Sequence, residues 1–241
     1  MLAFVALTVA LTLPSAHAIE PCFTPIADAD AFSGGSENTV RWFGDIAGGF
    51  TVEVAEDPAF TTILDSATVG RFSTERTFEG LAEREYFYRV RAEAKGTTCA
   101  QSEWSDPVST IQDQTPSVAA ITTEPTPIEP TPIEPSLPVF ILEDEVRIDG
   151  TSEDPPGGDA PAGSGPAFVV ISLVQTTPII GSGEDGAVFA LAQVDADGTW
   201  LVRFTGENKP ATGTYSAFAT GIDQVGNEAE EPVELGFIVI L

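Results

Sequence analysis

Between Tyr86 and Ala92 the chain alternates at period two, with Tyr86, Tyr88, Val90 and Ala92 on one face and Phe87, Arg89 and Arg91 on the other. Successive side chains of a β-strand point to opposite faces, so the first set is predicted to enter a core while the guanidinium groups stay solvated. Ser102-Glu103-Trp104-Ser105-Asp106-Pro107 reads as the strand that follows. Upstream, the same patterning predicts strands at 39–43, 50–54 and 76–78, punctuated by Gly48-Gly49, Asp57-Pro58 and Lys95-Gly96-Thr97-Thr98. Downstream it predicts strands at 139–141, 146–151, 167–174, 187–194, 199–204, 214–220 and 233–241, with a Pro, Gly and Asp stretch up to Gly165 as an exposed loop. No window follows a period of 3.6, so the fold class is all-β and no helices are expected.

Between the two sets of strands the pattern stops. Residues 125–129 and 130–134 are tandem Pro-Thr-Pro-Ile-Glu blocks, and 117–137 is expected to be a Pro/Thr/Glu-rich linker. Proline every few residues without glycine favours polyproline II, so a dozen such residues would reach about 35–40 Å as a semi-rigid spacer. A docking motif for a proline-binding module and an O-glycosylated stalk are the sharper readings of the same composition.

Trp42, the 50–54 strand, Gly80-Leu81, the run from Tyr86 to Ala92 and Ser102-Glu103-Trp104-Ser105 occur in an order that resembles a fibronectin type III domain over about 21–115. The resemblance implies a β-sandwich with Trp42 as its core tryptophan, Leu81 and Tyr86 as a tyrosine corner, and Trp104 in the last strand. In the second half, Ile148-Asp149-Gly150-Thr151, Asp195-Ala196-Asp197-Gly198-Thr199-Trp200, Gly213-Thr214-Tyr215 and the stretch from Ala219 to Asn227 resemble a bacterial Ig-like domain over about 138–241. Such domains commonly serve as stalk or adhesion modules. The expected organisation is therefore a signal peptide at 1–18, a first sandwich at 19–116, the linker at 117–137 and a second sandwich at 138–241, so that two Ig-like or fibronectin type III-like β-sandwiches are joined by a Pro-rich linker.

Composition narrows the function. The apolar run from Leu2 to Leu13 ends in Pro14-Ser15-Ala16-His17-Ala18, which fits a secretory cleavage site after Ala18, although no Lys or Arg precedes the run. The run is shorter than the ~20 residues that span a bilayer, so no integral membrane span is expected after cleavage. Retention at a surface would then need another protein, or the chain is released; the expected location is secreted, extracellular or cell surface, with the periplasm as an alternative. The sole histidine, His17, leaves with that segment, which removes Ser-His-Asp and Cys-His triads and the His-containing zinc sites. The two cysteines, Cys22 and Cys99, are expected to form a structural bridge in an oxidising compartment, with two buried thiols as the alternative. Both fall near one pole of the first sandwich, and closing a loop of about 77 residues contributes roughly 4 kcal/mol in the chain-entropy account. A formal charge of −27, from 37 acidic and 10 basic residues, disfavours nucleic acid and anionic membranes and predicts a solvated, monomeric exterior.

Candidate chemistry is sparse. Asp195 and Asp197, two residues apart before Gly198, read either as the start of a calcium loop or as a hairpin turn; Asp223 and Asn227, with the acidic 143–145 cluster, could add oxygens. No other cofactor is expected, and no phosphate loop, Cys-x-x-Cys or nucleophile elbow is present. Phe43, Phe72 and Phe87 are candidates for a ligand platform, the alternative being that they belong to the core. The expected function is that of a non-enzymatic modular protein acting in adhesion, binding or spacing, with an unidentified protein or carbohydrate surface partner. The alternative is a carbohydrate-binding accessory of a secreted polysaccharide-degrading system.

Overall fold

The computed structural model describes residues 18–45, 47–123, 139–141, 145–178 and 187–240. The leader expected at 1–18 lies almost wholly outside them, as do most of the Pro-rich segment and Glu143 and Asp144.

Period-two patterning resolves into strands, and the one helical feature among the described residues is a single 3₁₀ turn at Gly206–Asn208. The first sandwich stacks two sheets. One contains β1 (Ile26–Asp28), β3 (Glu37–Phe43) and β6 (Glu75–Glu79), in the order β1-β3-β6. The other contains β2 (Phe32–Gly34), β4 (Gly49–Ala55), β5 (Ile63–Gly70), β7 (Glu85–Ala92) and β8 (Val108–Asp113), in the order β2-β8-β7-β4-β5. The alternation read from the sequence is the alternation of burial: Tyr86, Tyr88, Val90 and Ala92 enter one core with Val40, Trp42, Phe50, Val52, Val54 and Phe78. The Trp42 and Phe50 ring centroids lie 5.6 Å apart, within the range at which tilted aromatic pairs attract.

The segment from Ser102 to Asp106, expected to be a strand, is irregular, and the last strand of this sandwich is β8. The segment still completes the edge of β7. Ser105 and Ala92 illustrate how: the Ser105 amide donates to Val90 O at 2.8 Å and the Ser105 Oγ accepts the Val90 N–H at 3.0 Å, while Ser102 does the same for Ala92. Hydroxyls thus supply acceptors that a regular ladder would take from carbonyls. Trp104, between them, points outward and is held by the Arg89 and Arg91 guanidinium groups at 4.3 and 4.5 Å from its rings.

The second sandwich begins earlier than the sequence suggested. Val118–Ile121 (β9), expected within the linker, pairs antiparallel with β11 (Val146–Glu153), which in turn pairs with β14 (Thr199–Phe204). The facing sheet runs β10-β16-β15-β12-β13, where β10 is Val139–Ile141, β12 Pro166–Pro178, β13 Val188–Gln193, β15 Gly213–Asp223 and β16 Val233–Ile240. Ile148, Ile171, Leu173, Trp200, Phe204, Tyr215 and Phe237 form its separate core. β9 precedes the Pro-rich segment and β10 follows it, and both strands belong to the second sandwich. The connection between the sandwiches is the short stretch 114–117.

Candidate functional site

The Cys22–Cys99 bridge is formed. Cys22 lies just ahead of β1, where its N–H donates to Ala100 O at 2.8 Å, so the bridge pins the N-terminal segment to the residues that follow β7. The tyrosine corner also forms: the Tyr86 hydroxyl accepts the Ala82 N–H at 2.9 Å. Tyr215 makes the corresponding contact in the second sandwich, donating to Ala211 O at 3.0 Å.

The three candidate aromatics do not share a face. Phe43 ends β3 and Phe87 lies on β7, in opposite sheets, while Phe72 sits in the turn after β5 with Arg71 over its ring at 4.5 Å. Phe43 and Phe72 are 74% and 83% exposed, so neither is a core residue.

Asp195 and Asp197 form a tight turn, but one that joins β13 to β14 across the two sheets rather than a hairpin within one. Gly198 supplies the φ of 81° that this turn demands. The Asp197 carboxylate accepts the Thr199 hydroxyl at 2.7 Å and the Thr199 N–H at 3.1 Å, and the hydroxyl bond is the first cause that holds its pKa below the usual carboxylate value. Asp223 and Asn227 lie elsewhere, at the junction of the two sandwiches.

Among the described residues, that junction brings three acidic side chains from distant parts of the chain together. Asp113 ends β8 in the first sandwich, Asp154 follows β11, and Asp223 ends β15; one carboxylate oxygen from each lies within 4.8 Å of the others. Asp113 and Asp223 are 0% and 2% exposed. Each is held in place locally. The Asp223 carboxylate accepts the Val225 and Asn227 N–H groups at 3.0 and 2.8 Å and the Asn227 side-chain amide at 2.7 Å. Asp113 Oδ2 accepts the Ser164 N–H at 2.5 Å, and the Thr115 N–H reaches Asp113 Oδ1 at 3.2 Å. Asp154 Oδ2 takes the Gly165 N–H at 2.5 Å, yet Asp154 Oδ1 is buried with no partner. Burial pushes the Asp154 carboxyl above its ordinary value, and the charges of Asp113 and Asp223 push in the same direction against the Gly165 hydrogen bond.

The same junction is sewn by further contacts. The Asn227 side chain donates to Asp113 O at 3.0 Å, Thr115 Oγ1 donates to Glu83 at 3.0 Å, and Arg84 binds Asp159 at 2.7 Å while also pairing with Glu56. A Cβ at Gly34 would come within 2.9 Å of Val225 O, so the two sandwiches touch backbone to backbone here. The stretch before Gly165, expected to be an exposed loop, supplies Asp154, Asp159 and Ser164 to this seam. Asp113 and Asp154 carried no sequence signal: each is one of 37 acidic residues, and only folding brings them to Asp223.

The three carboxylates fit a hard divalent cation. Ligand oxygens about 2.4 Å from calcium lie no more than about 4.8 Å apart, and the set presents carboxylate oxygens of which Asp154 Oδ1 has no other partner. Asp195 and Asp197 are not part of this group.

No known protein family matches the chain, and no curated protein matches it. Solved structures do resemble it. Fibronectin(III)-like modules of Clostridium thermocellum CbhA are 11% identical, with 90% of this chain and 94% of that chain covered at a TM-score of 0.45. The FN1-FN3 domains of chicken CNTN1 are 14% identical, covering 92% of this chain and 66% of that one at a TM-score of 0.46. A structure from a 1.5-MDa bacterial ice-binding adhesin is 14% identical, with the same coverages of 92% and 66%, at a TM-score of 0.44.

Proposed function

We propose that the chain is a secreted or cell-surface, non-catalytic modular protein that binds or spaces through its β-sandwich surfaces, with the two sandwiches acting as one jointed unit. The observation that carries this reading is the seam: a four-residue connection, 114–117, flanked by side-chain contacts from both modules, suits a load-bearing or presenting element. The clefts on the described surface support the same reading. One of about 400 Å³ runs past Glu56, Asp65, Glu79 and Arg84, and its lining holds no nucleophile paired with a base. Among the described residues no helix is long and apolar enough to cross a membrane.

The test is retention. The full-length chain, immobilised, is challenged with a glycan array and with solubilised cell-surface protein; specific retention of either supports a binding role. Failure to retain anything from both leaves a spacer and overturns binding.

A divalent cation at the seam is a second reading, favoured by the convergence of Asp113, Asp154 and Asp223 and by an Asp154 Oδ1 that is buried without a partner. Calcium would offset the mutual repulsion and stiffen the joint. Calcium is expected to raise the melting temperature of the full chain, and Asp154→Asn to abolish that rise while Asp197→Ala preserves it. In chelator the sign reverses: a carboxyl whose folded pKa is raised destabilises the fold at pH values above that pKa, and the penalty is relieved as pH falls through it. Asp154→Asn without metal is therefore expected to melt higher than the parent near neutral pH. A calcium-independent melting temperature in the parent overturns the reading.

A further inference from the structure

We propose that β13 is a self-association edge, pairing antiparallel with β13 of a second copy of this chain. β13 ends the five-stranded sheet of the second sandwich, so among the described residues no strand pairs with the outer side of its backbone. Natural sheets blunt such edges with charges, proline, bulges or very short strands. The other described edge strands of five or more residues follow that rule: β5 carries Asp65, β6 carries Glu75, Arg76 and Glu79, and β14 carries Arg203. β13, Val-Phe-Ala-Leu-Ala-Gln, carries no charge, no proline and no glycine, and its register with β12 has no bulge.

Its outward face is also apolar. Phe189 and Leu191 are 68% and 62% exposed, and across the ladder Leu191 faces Val170 while Phe189 faces Ser172. The inward face, Val188, Ala190 and Ala192, packs on the core, so the two faces have different tasks. The occupant is argued from charge. Two chains of −27 each repel at most surfaces, because carboxylates meet carboxylates. The run from Ala187 to Val194 has no ionisable residue, and two copies can align there without opposing like charges. The pattern is also self-complementary: a two-fold axis through Ala190 sets Phe189 against Leu191 of the second copy and leaves Asp195 beyond the paired residues. Both outward faces then fall on the same side of a continuous sheet, as an isologous contact requires.

The test uses the full-length chain in sedimentation equilibrium from micromolar to millimolar concentration. Twice the monomer mass is expected, with association stronger at about 0.5 M than at about 0.05 M salt because screening weakens the repulsion between the copies. Leu191→Lys, at an exposed position and with an unchanged melting temperature, is expected to return the chain to monomer, while Phe72→Lys on the first sandwich leaves the dimer intact. A parent chain that stays monomeric throughout, or a dimer indifferent to Leu191→Lys, overturns the proposal.

Discussion

At the scale of single residues, the tyrosines show most directly how burial becomes a measurable property. Tyr88 is fully buried and its hydroxyl accepts from Asn38 Nδ2 at 2.9 Å, itself a buried amide. Burial raises its pKa to about 12, against the smaller opposing effect of the Asn38 hydrogen bond. The unfolded chain releases that proton near pH 10, so the fold holds it where the unfolded state does not. Stability from this group is complete below pH 10 and is lost as pH rises toward 12, amounting to about 2–3 kcal/mol once both states are ionised. Tyr86 and Tyr215 are shifted up as well, by burial first, and add in the same direction. The melting temperature is expected to fall steeply between pH 10 and 12, with a shallower fall in Tyr88→Phe. A flat profile across that window would sink the account. Tyr86 and Tyr88 were legible beforehand because alternation marks a buried face. The Asp113, Asp154 and Asp223 cluster was not, since no local pattern relates residues that meet only through a seam between modules.

At the scale of elements, the strand pattern was legible where buried and exposed positions alternate along the strand, as in β7, β11 and β14. It missed the eight-residue β5, whose first four positions are all exposed, and it failed at the short or irregular pieces. Ser102 to Asp106 reads as a strand because Trp104 lies between polar residues, but the serine hydroxyls do the bonding and β8 takes the place in the sheet. β9 is only four residues of mostly small side chains before a proline-rich run, so composition assigned it to the linker. Its place is secured instead by Gly150 on β11. A Cβ there would fall 1.9 Å from Ala120 O and 2.3 Å from the Trp200 ring, contacts that no rotamer relieves. Gly150→Ala is therefore expected to push β9 off the sheet and cost at least about 1–3 kcal/mol, the usual penalty for overpacking a filled site. Hydrogen exchange is the discriminating measurement: protection should vanish at 118–121 while the first sandwich keeps its own. Equal loss in both modules would mean that the glycine supports the seam and not the strand.

At the scale of the whole molecule, the consequence of β9 is a change in what sets the distance between modules. A spacer reading of the Pro-Thr-Pro-Ile-Glu blocks requires one end in each sandwich. Their flanking strands, β9 and β10, both belong to the second sandwich, while the link between modules is 114–117, bounded by Asp113 and by Ser117 against Gly221. Removing one five-residue block, 125–129, is thus expected to leave the distance between labels on the two sandwiches unchanged. Inserting the same number of Gly and Ser residues after Gln114 is expected to lengthen and broaden that distance distribution, because it separates Asp113 and Thr115 from the Asn227 and Glu83 groups that fix the joint. Pulsed electron–electron distance measurements on the full chain resolve both cases. If the block deletion shortens the distance and the insertion does not, the proline-rich segment is the spacer after all, and the seam contacts are too weak to hold the modules together. The physical case runs the other way: a chain with −27 charge keeps two acidic modules in register only if local contacts fix them, and such contacts are present around Asp113 and Arg84.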